Sequence, residues 1–228
     1  MRDKDYRKAL GMLNYLANGT RPDIAFAVNV LMRYASDPRP FHWKLVQHVI
    51  AYTKTTINYG ITYKRGATIK PIGYSDASYA DDPDSRKSTA GQVFLMANGP
   101  VTWKAKTLKR VSGSTGETEY VAVYEAGKQG KWVIQWLEEA EVYEDRPIEI
   151  KCDNDSAILH TKNASGHGRL KHLDVKYHWI REAVELGDIK VTYVPTDDNI
   201  ADLFTKALPR PRFEKLRELM GILPLDGI

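Results

Sequence analysis

Apolar positions recur at helical spacing through the first 57 residues and then switch to strand-like alternation. Tyr6, Leu10, Leu13 and Leu16 mark a first helix. Thr20-Arg-Pro-Asp23 then offers a cap residue, a proline near the first turn and an acid three residues after the cap. It opens a second helix carrying Ile24, Ala27, Val28 and Leu31, and a third helix from Pro40 carries Trp43, Val46, Ile50 and Tyr52. Residues 58–63 read as a short strand, and Lys64-Arg-Gly-Ala67 as a boundary. Three strands are predicted at 70–76, 89–97 and 100–105, the last two joined at Asn98-Gly99, a strong tight-hairpin signal. After them come a long helix (115–139), a strand (147–153), a short helix (154–162), a loop (163–168) and a helix (169–186). A strand (189–194), a short helix (198–205) and a terminal helix (210–220) follow. A three-strand meander followed by alternating helices and strands predicts an α/β fold: a mixed sheet with helices on its faces.

Composition narrows this only a little. The 228 residues suffice for one full domain and a smaller part. A net charge of +4 permits a polyanionic partner without demanding one. Cys152 is the only cysteine, which excludes an internal disulfide and suits a reducing compartment. No apolar run approaches the roughly 20 residues of a membrane helix, and Met-Arg-Asp-Lys-Asp is too charged to open a signal peptide.

The chemistry lies in four acids. Asp76 ends the alternation of Pro71-Ile-Gly-Tyr-Ser-Asp76 and by period two shares a face with Ile72 and Tyr74. It is either a turn-starting acid or a carboxylate on an apolar face, which costs several kcal/mol unless paired or metal-bound. The long helix opens with Ser114-Thr-Gly-Glu117-Thr-Glu119. Glu117 stands at capping-box spacing from Ser114 and has a structural role to fill. Glu119 heads the small stripe Ala122, Val123, Ala126, Gly130 and Val133, which suits close contact with a sheet, so Glu119 is chosen over Glu117. Asp153 follows an apolar strand and is either a helix cap or a site acid, whereas Asp155 suits the helix start. Thr196, Asp197 and Asp198 are capping candidates. Asp202 lies beyond them, flanking a buried side made by Ile200, Leu203 and Phe204. Carboxylates gathered from strand ends and helix starts repel one another and call for cations between them. Oxygen-only ligands suit Mg²⁺ or Mn²⁺.

Seven stretches in chain order also resemble one family. They are Tyr74–Asp82, Arg86–Phe94, Trp103–Lys106, Glu117–Tyr120, Cys152–Asn154, Lys171–Asp174 and Ala201–Pro209. Together they are similar to the ribonuclease H region of copia-type LTR retrotransposon Pol polyproteins. Residues 6–63, with Thr20-Arg-Pro-Asp-Ile-Ala-Phe26, resemble the segment joining it to the reverse transcriptase. The resemblance implies a ribonuclease H-like mixed five-stranded sheet flanked by helices and preceded by a small helical connection segment. It implies a connection segment at 1–66, a ribonuclease H-like domain at 67–208 and a C-terminal helix and tail at 209–228. The implied activity is endonucleolytic cleavage of the RNA strand of RNA–DNA hybrids with two Mg²⁺ ions, Mn²⁺ being the other candidate. Asp76, Glu119, Asp153 and Asp202 are the implied catalytic and metal-binding residues, the same four chosen above. The implied partners are the hybrid, the reverse transcriptase and the other Pol domains, without a membrane. The implied location is intracellular: cytoplasm, nucleus or retroelement particles. The alternative is a catalytically silent remnant that only binds nucleic acid or packs in a larger complex.

The chain departs from the family at Gly116 and Thr118, where the usual Ser-Ser-Thr-Glu-Ala-Glu-Tyr has Thr and Ala. The loop Tyr193-Val-Pro195-Thr-Asp lacks the His that many ribonucleases H carry before the last acid. No Tyr-x-Asp-Asp polymerase motif occurs. Lys104, Lys106, Lys109 and Arg110, read as part of a loop, form either a phosphate-tracking cluster or a solvated turn. Arg169 and Lys171 lie in a second basic cluster with His167 and His172. No zinc site is read from the histidines, because no close ligand pair repeats. Trp132, Trp136 and Trp179 sit at helical spacing and are assigned to the core.

Overall fold

Small residues on one side of a long helix decide how this protein covers its sheet. The computed structural model describes residues 3–142, 146–162 and 171–225. Its elements are α1 (Asp3–Gly19), α2 (Ala25–Met32), α3 (Pro40–Thr55), β1 (Tyr59–Ile61), β2 (Ile72–Ser78), β3 (Thr89–Met96), β4 (Gly99–Thr107) and α4 (Thr115–Glu139). They continue with β5 (Ile148–Cys152), α5 (Asp155–Lys162), α6 (Lys171–Glu185), β6 (Ile189–Tyr193), α7 (Arg210–Leu219) and β7 (Ile222–Pro224). Short 3-10 helices occupy Pro22–Ile24, Thr196–Asp198 and Ile200–Phe204.

Five strands form one mixed sheet in the order β4-β3-β2-β5-β6. The β2–β3 and β3–β4 pairs are antiparallel, and the β2–β5 and β5–β6 pairs are parallel. Ala126, Gly130 and Val133 of α4 press on one face, with Phe94, Ile148 and Ile150 beneath them. A Cβ on Gly130 would lie 3.2 Å from both Phe94 and Ile148, so glycine sets the helix-to-sheet distance there. Helices α5 and α6 complete this layer through Ala157, Ile158, Ile180 and Ala183. On the opposite face Ile200, Leu203 and Phe204 join Val93, Leu216, Met220 and Ile222. The fold is α/β and ribonuclease H-like, with a helical segment ahead of the sheet, as the family resemblance implies.

The helical segment has its own core of Tyr6, Leu10, Leu13, Ala17, Ile24, Val28, Leu31, Val46 and Val49. It is fastened to edge strand β4 and the start of β3 by polar contacts. The Trp103 indole donates to Ala17 O at 2.7 Å, and the Asn29 amide donates to Ala105 O at 3.1 Å. Arg33 reaches Thr89 Oγ1 at 2.6 Å and Thr107 Oγ1 at 3.1 Å. Farther along, β1 pairs antiparallel with β7, Gly60 opposite Leu223, and Tyr59 and Ile61 pack against the core around Met220. None of the described helices is long and apolar enough to cross a membrane.

Several local expectations are corrected. The hairpin turn is Ala97-Asn98, both at positive φ, with Met96 opposite Gly99. Gly99 belongs to β4, paired with Met96, and a Cβ there would stand 2.4 Å from Thr62 O. Leu16 and Ile50 are exposed, and Ala17 and Val49 take the buried places one position away. Thr20 caps nothing: the 3-10 turn starts after Arg21, whose guanidinium holds Asp23 at 2.8 and 3.0 Å. Trp132 and Trp136 are more than half exposed, because Val133, Ile134 and Leu137 take the sheet side of α4; Trp179 is partly buried against Tyr124. Strand β4 runs to Thr107, so Lys104 and Lys106 stand on a strand. Strand β7 went unpredicted.

Gly91 of β3 faces the 3-10 helix Ile200–Phe204. A Cβ there would meet Thr205 Cγ2 at 2.7 Å, Phe204 Cβ at 2.8 Å and Ala201 O at 2.9 Å. Gly91→Ala is expected to destabilise the protein by about 1–3 kcal/mol, as overpacking does. Urea denaturation measures this; wild-type stability in the variant would contradict the close approach.

Candidate active site

Four separate elements deliver the four acids. Asp76 lies inside β2, not at its end, opposite Gly91 of β3. Its missing neighbour at Gly91 is what lets the 3-10 helix settle over it. That helix starts at Asn199, whose side chain accepts from Ala201 N at 3.2 Å, so Asn199 and not Asp197 or Asp198 is the cap. Asp202 follows in the next turn and is fully buried, as is Asp76. Asp153 comes directly after β5. It caps nothing, because Asn154 Oδ1 takes the N–H of Ala157 at 2.9 Å. Glu119 sits in the first turns of α4. Ser114 caps that helix by accepting from Glu117 N at 3.2 Å, and Glu117 accepts from Gly113 N at 2.8 Å. Glu117 is thereby occupied with the helix start, and Glu119 is free to face the sheet.

Ligand oxygens of Asp76, Asp153 and Asp202 lie within 4.8 Å of one another, and so do ligand atoms of Glu119, Cys152 and Asp153. Asp153 belongs to both groups and joins them into one cluster. Lys206 places its ammonium between two of the acids, 3.0 Å from Asp76 Oδ1 and 2.7 Å from Asp202 Oδ1. Arg212 donates to Asp202 Oδ2, and the Thr205 hydroxyl to Asp76 Oδ2. The Asn199 amide donates to Asp153 Oδ1 at 3.2 Å and to Ser75 O at 3.1 Å. Glu119 Oε2 is buried and has no hydrogen-bond partner among the described residues. Burial first, then the charges of Asp76 and Asp153, push the Glu119 carboxyl up to about 9. Burial pushes Asp76 up to about 7, with the Lys206 ammonium pulling it down and Asp202 pushing it up. Burial pushes the Cys152 thiol up to about 12, so it stays protonated. An all-carboxylate donor set with an orphaned buried oxygen fits a hard divalent cation.

The basic residues divide. Lys104, Lys109 and Arg110 are exposed, while Lys106 is ion-paired with Glu125 at 3.1 Å. Lys106, Lys109 and Arg110 line a groove of about 370 Å³ with Lys176 of α6. Arg169 and His167 lie outside the described residues, and so do the side chains of Lys171 and His172. Sequence reasoning missed Asn199, Thr205, Lys206, Arg212 and Lys176. Only Lys206 left a trace, its i,i+4 spacing from Asp202.

No protein-family model matches the chain. It is 40% identical over 217 residues to the retrovirus-related Pol polyprotein from transposon TNT 1-94 of Nicotiana tabacum, covering 95% of this chain and 16% of that protein. It is 42% identical over 133 residues to secreted RxLR effector protein 161 of Plasmopara viticola, covering 58% of this chain and 94% of that protein. A solved structure of the foamy viral protease-reverse transcriptase in complex with RNA/DNA hybrid resembles it in fold, with a TM-score of 0.52 at 13% identity. That match covers 91% of this chain and 26% of the viral one. The chain therefore spans only a small part of the Pol polyproteins it matches.

The raised carboxyl groups give a pH signature. A carboxyl whose pKa rises on folding adds stability that is complete below its unfolded value, 4.5 for Glu119, and is lost as pH climbs through its folded value, about 9. In chelator the melting temperature should therefore fall between about pH 5 and pH 9. Glu119→Gln should flatten the upper part of that fall. An unchanged slope in the variant would remove Glu119 as its source.

Proposed function

The chain belongs to the retrovirus-related Pol polyproteins of copia-type transposons, and we propose that it is their ribonuclease H: an endonuclease that hydrolyses the RNA strand of RNA–DNA hybrids during reverse transcription of the element. The observation that supports this most is that Asp153 joins two close groups of ligand atoms, one with Asp76 and Asp202 and one with Glu119, whose Oε2 is buried and unpartnered among the described residues. In this reading the four carboxylates hold two Mg²⁺ or Mn²⁺ ions. The ions would supply an activated water and stabilise the leaving oxygen of the phosphodiester. The protein's own part is positional. Strand β2 and the capped 3-10 helix fix Asp76 and Asp202, Asn199 orients Asp153, and the first turns of α4 hold Glu119 against the sheet. Lys104, Lys106, Lys109, Arg110, Arg169 and Lys171 would contact the nucleic-acid backbone. The remaining Pol domains are the expected partners, inside the cell or its retroelement particles.

A second reading is a silent module that binds nucleic acid without cutting it. Gly116 in the first turn of α4 and the absence of a His from Tyr193–Asp197 favour it. Retention of all four acids favours the enzyme, because loss of any one would leave a foldable chain.

Cleavage of a labelled hybrid in Mg²⁺ separates the two. Asp76→Asn and Asp153→Asn should each lower the rate by about a hundredfold or more. Glu119→Gln should abolish cleavage, while Glu117→Gln, still able to accept from Gly113 N, should cost little. Normal cleavage by Asp76→Asn would sink the assignment.

The proposed division places a connection segment at 1–66, the nuclease at 67–208 and a C-terminal helix and tail at 209–228. A 67–228 fragment should keep the cleavage chemistry but melt lower, because β7 loses β1 and Trp103 loses Ala17 O. A folded fragment with no cleavage at all would place the N-terminal segment in the active site.

A further inference from the structure

The cluster is lopsided. Asp76 and Asp202 share the Lys206 ammonium, and Asp202 has Arg212 as well. Among the described residues Glu119 and Asp153 are not ion-paired, and Glu119 Oε2 has no hydrogen-bond partner. Among the described residues, one half of the acidic pocket thus carries its own positive charge and the other half carries none. The Asp76 and Asp202 side chains are wholly buried, but that of Lys206 is 34% exposed. Its amine can swing toward water on a flexible stem, whereas the carboxylates have nowhere to go.

Building on the metal-dependent reading above, we propose that Lys206 is a built-in counter-ion that fills the cation position between Asp76 and Asp202. It must withdraw before a second divalent ion binds beside the first. Without metal, Lys206 keeps two buried carboxylates from repelling each other, so the fold is already set when the first ion arrives. That ion enters at the unpaired Glu119 and Asp153 side. The second ion competes with Lys206, and its apparent affinity is reduced by the fraction of molecules in which Lys206 has swung out. Lys206 is a positioning residue in this scheme, acting through Asp76 and Asp202. Ion occupancy would then be graded, with one ion at rest and two only when Mn²⁺ or Mg²⁺ is abundant or something draws Lys206 away.

The test titrates full-length protein with Mn²⁺ in the absence of nucleic acid, following free ion by electron paramagnetic resonance. Wild type should bind one ion well and a second weakly. Lys206→Met should bind the second about tenfold more tightly or better, and Lys206→Arg, which keeps the charge, should behave as wild type. In chelator Lys206→Met should melt below wild type and recover on adding Mn²⁺, which also shows that it folds. Identical binding curves for wild type and Lys206→Met would overturn the counter-ion role. A wild type that binds no Mn²⁺ would instead overturn the metal-dependent reading on which it rests.

Discussion

Negative charge gathered out of water has to be answered by positive charge, and much of the local design here follows from that requirement. Asp76 and Asp202 are fully buried and close together. Alone they would repel each other strongly in a poorly polarisable surrounding. Lys206 answers both from the same short stretch of chain that delivers Asp202. Arg212, from the start of α7, answers Asp202 from the other side. Even the glycine opposite Asp76 belongs to the same solution, since only a bare backbone lets the 3-10 helix come close enough.

Much of this was legible in the sequence, for identifiable reasons. The strands and long helix carry clear periodicity, and the small stripe of α4 rightly placed Glu119 toward the sheet. The capping spacing of Ser114 and Glu117 matches the observed cap, in which Glu117 N donates to Ser114 and Glu117 accepts from Gly113 N. What the sequence hid depends on contacts between distant segments. Asn98-Gly99 is a sound local turn signal, yet the turn is Ala97-Asn98, while Gly99 opens β4 where its backbone passes close to Thr62 O. Trp132 and Trp136 obey helical spacing, but one face of α4 was already filled by smaller side chains. Strand β7 is too short to show alternation and exists only because β1 pairs with it. Lys206 gave no local sign of its task beyond a spacing shared by countless surface ion pairs.

The helical segment contributes more than a lead-in to the sheet. Asp23 is held by Arg21 and by the Tyr52 hydroxyl at 2.7 Å, and burial followed by the Asp23 charge pushes that phenol up to about 12. Arg217 of α7 lies over the Tyr59 ring at 4.4 Å and donates to Tyr52 at 3.3 Å. A chain of charge and aromatic contacts therefore runs from α1's end to α7, which in turn supports the 3-10 helix bearing Asp202. Such buried networks hold when complete and fail when one member is removed.

The pairing of β1 with β7 also sets a timetable. On the ribosome, Tyr59 and Ile61 emerge long before Ile222, and the core around Met220 needs both. Helices α1 to α3 can collapse on their own contacts as they are made, because their core is local. The Asp202 pocket must wait for the opposite end of the described chain, an encounter of high sequence separation and correspondingly slow closure. Asp76, Glu119 and Asp153 are therefore synthesised well before Asp202. The cations that answer Asp202 follow it within ten residues, so that acid and its counter-charges are made together.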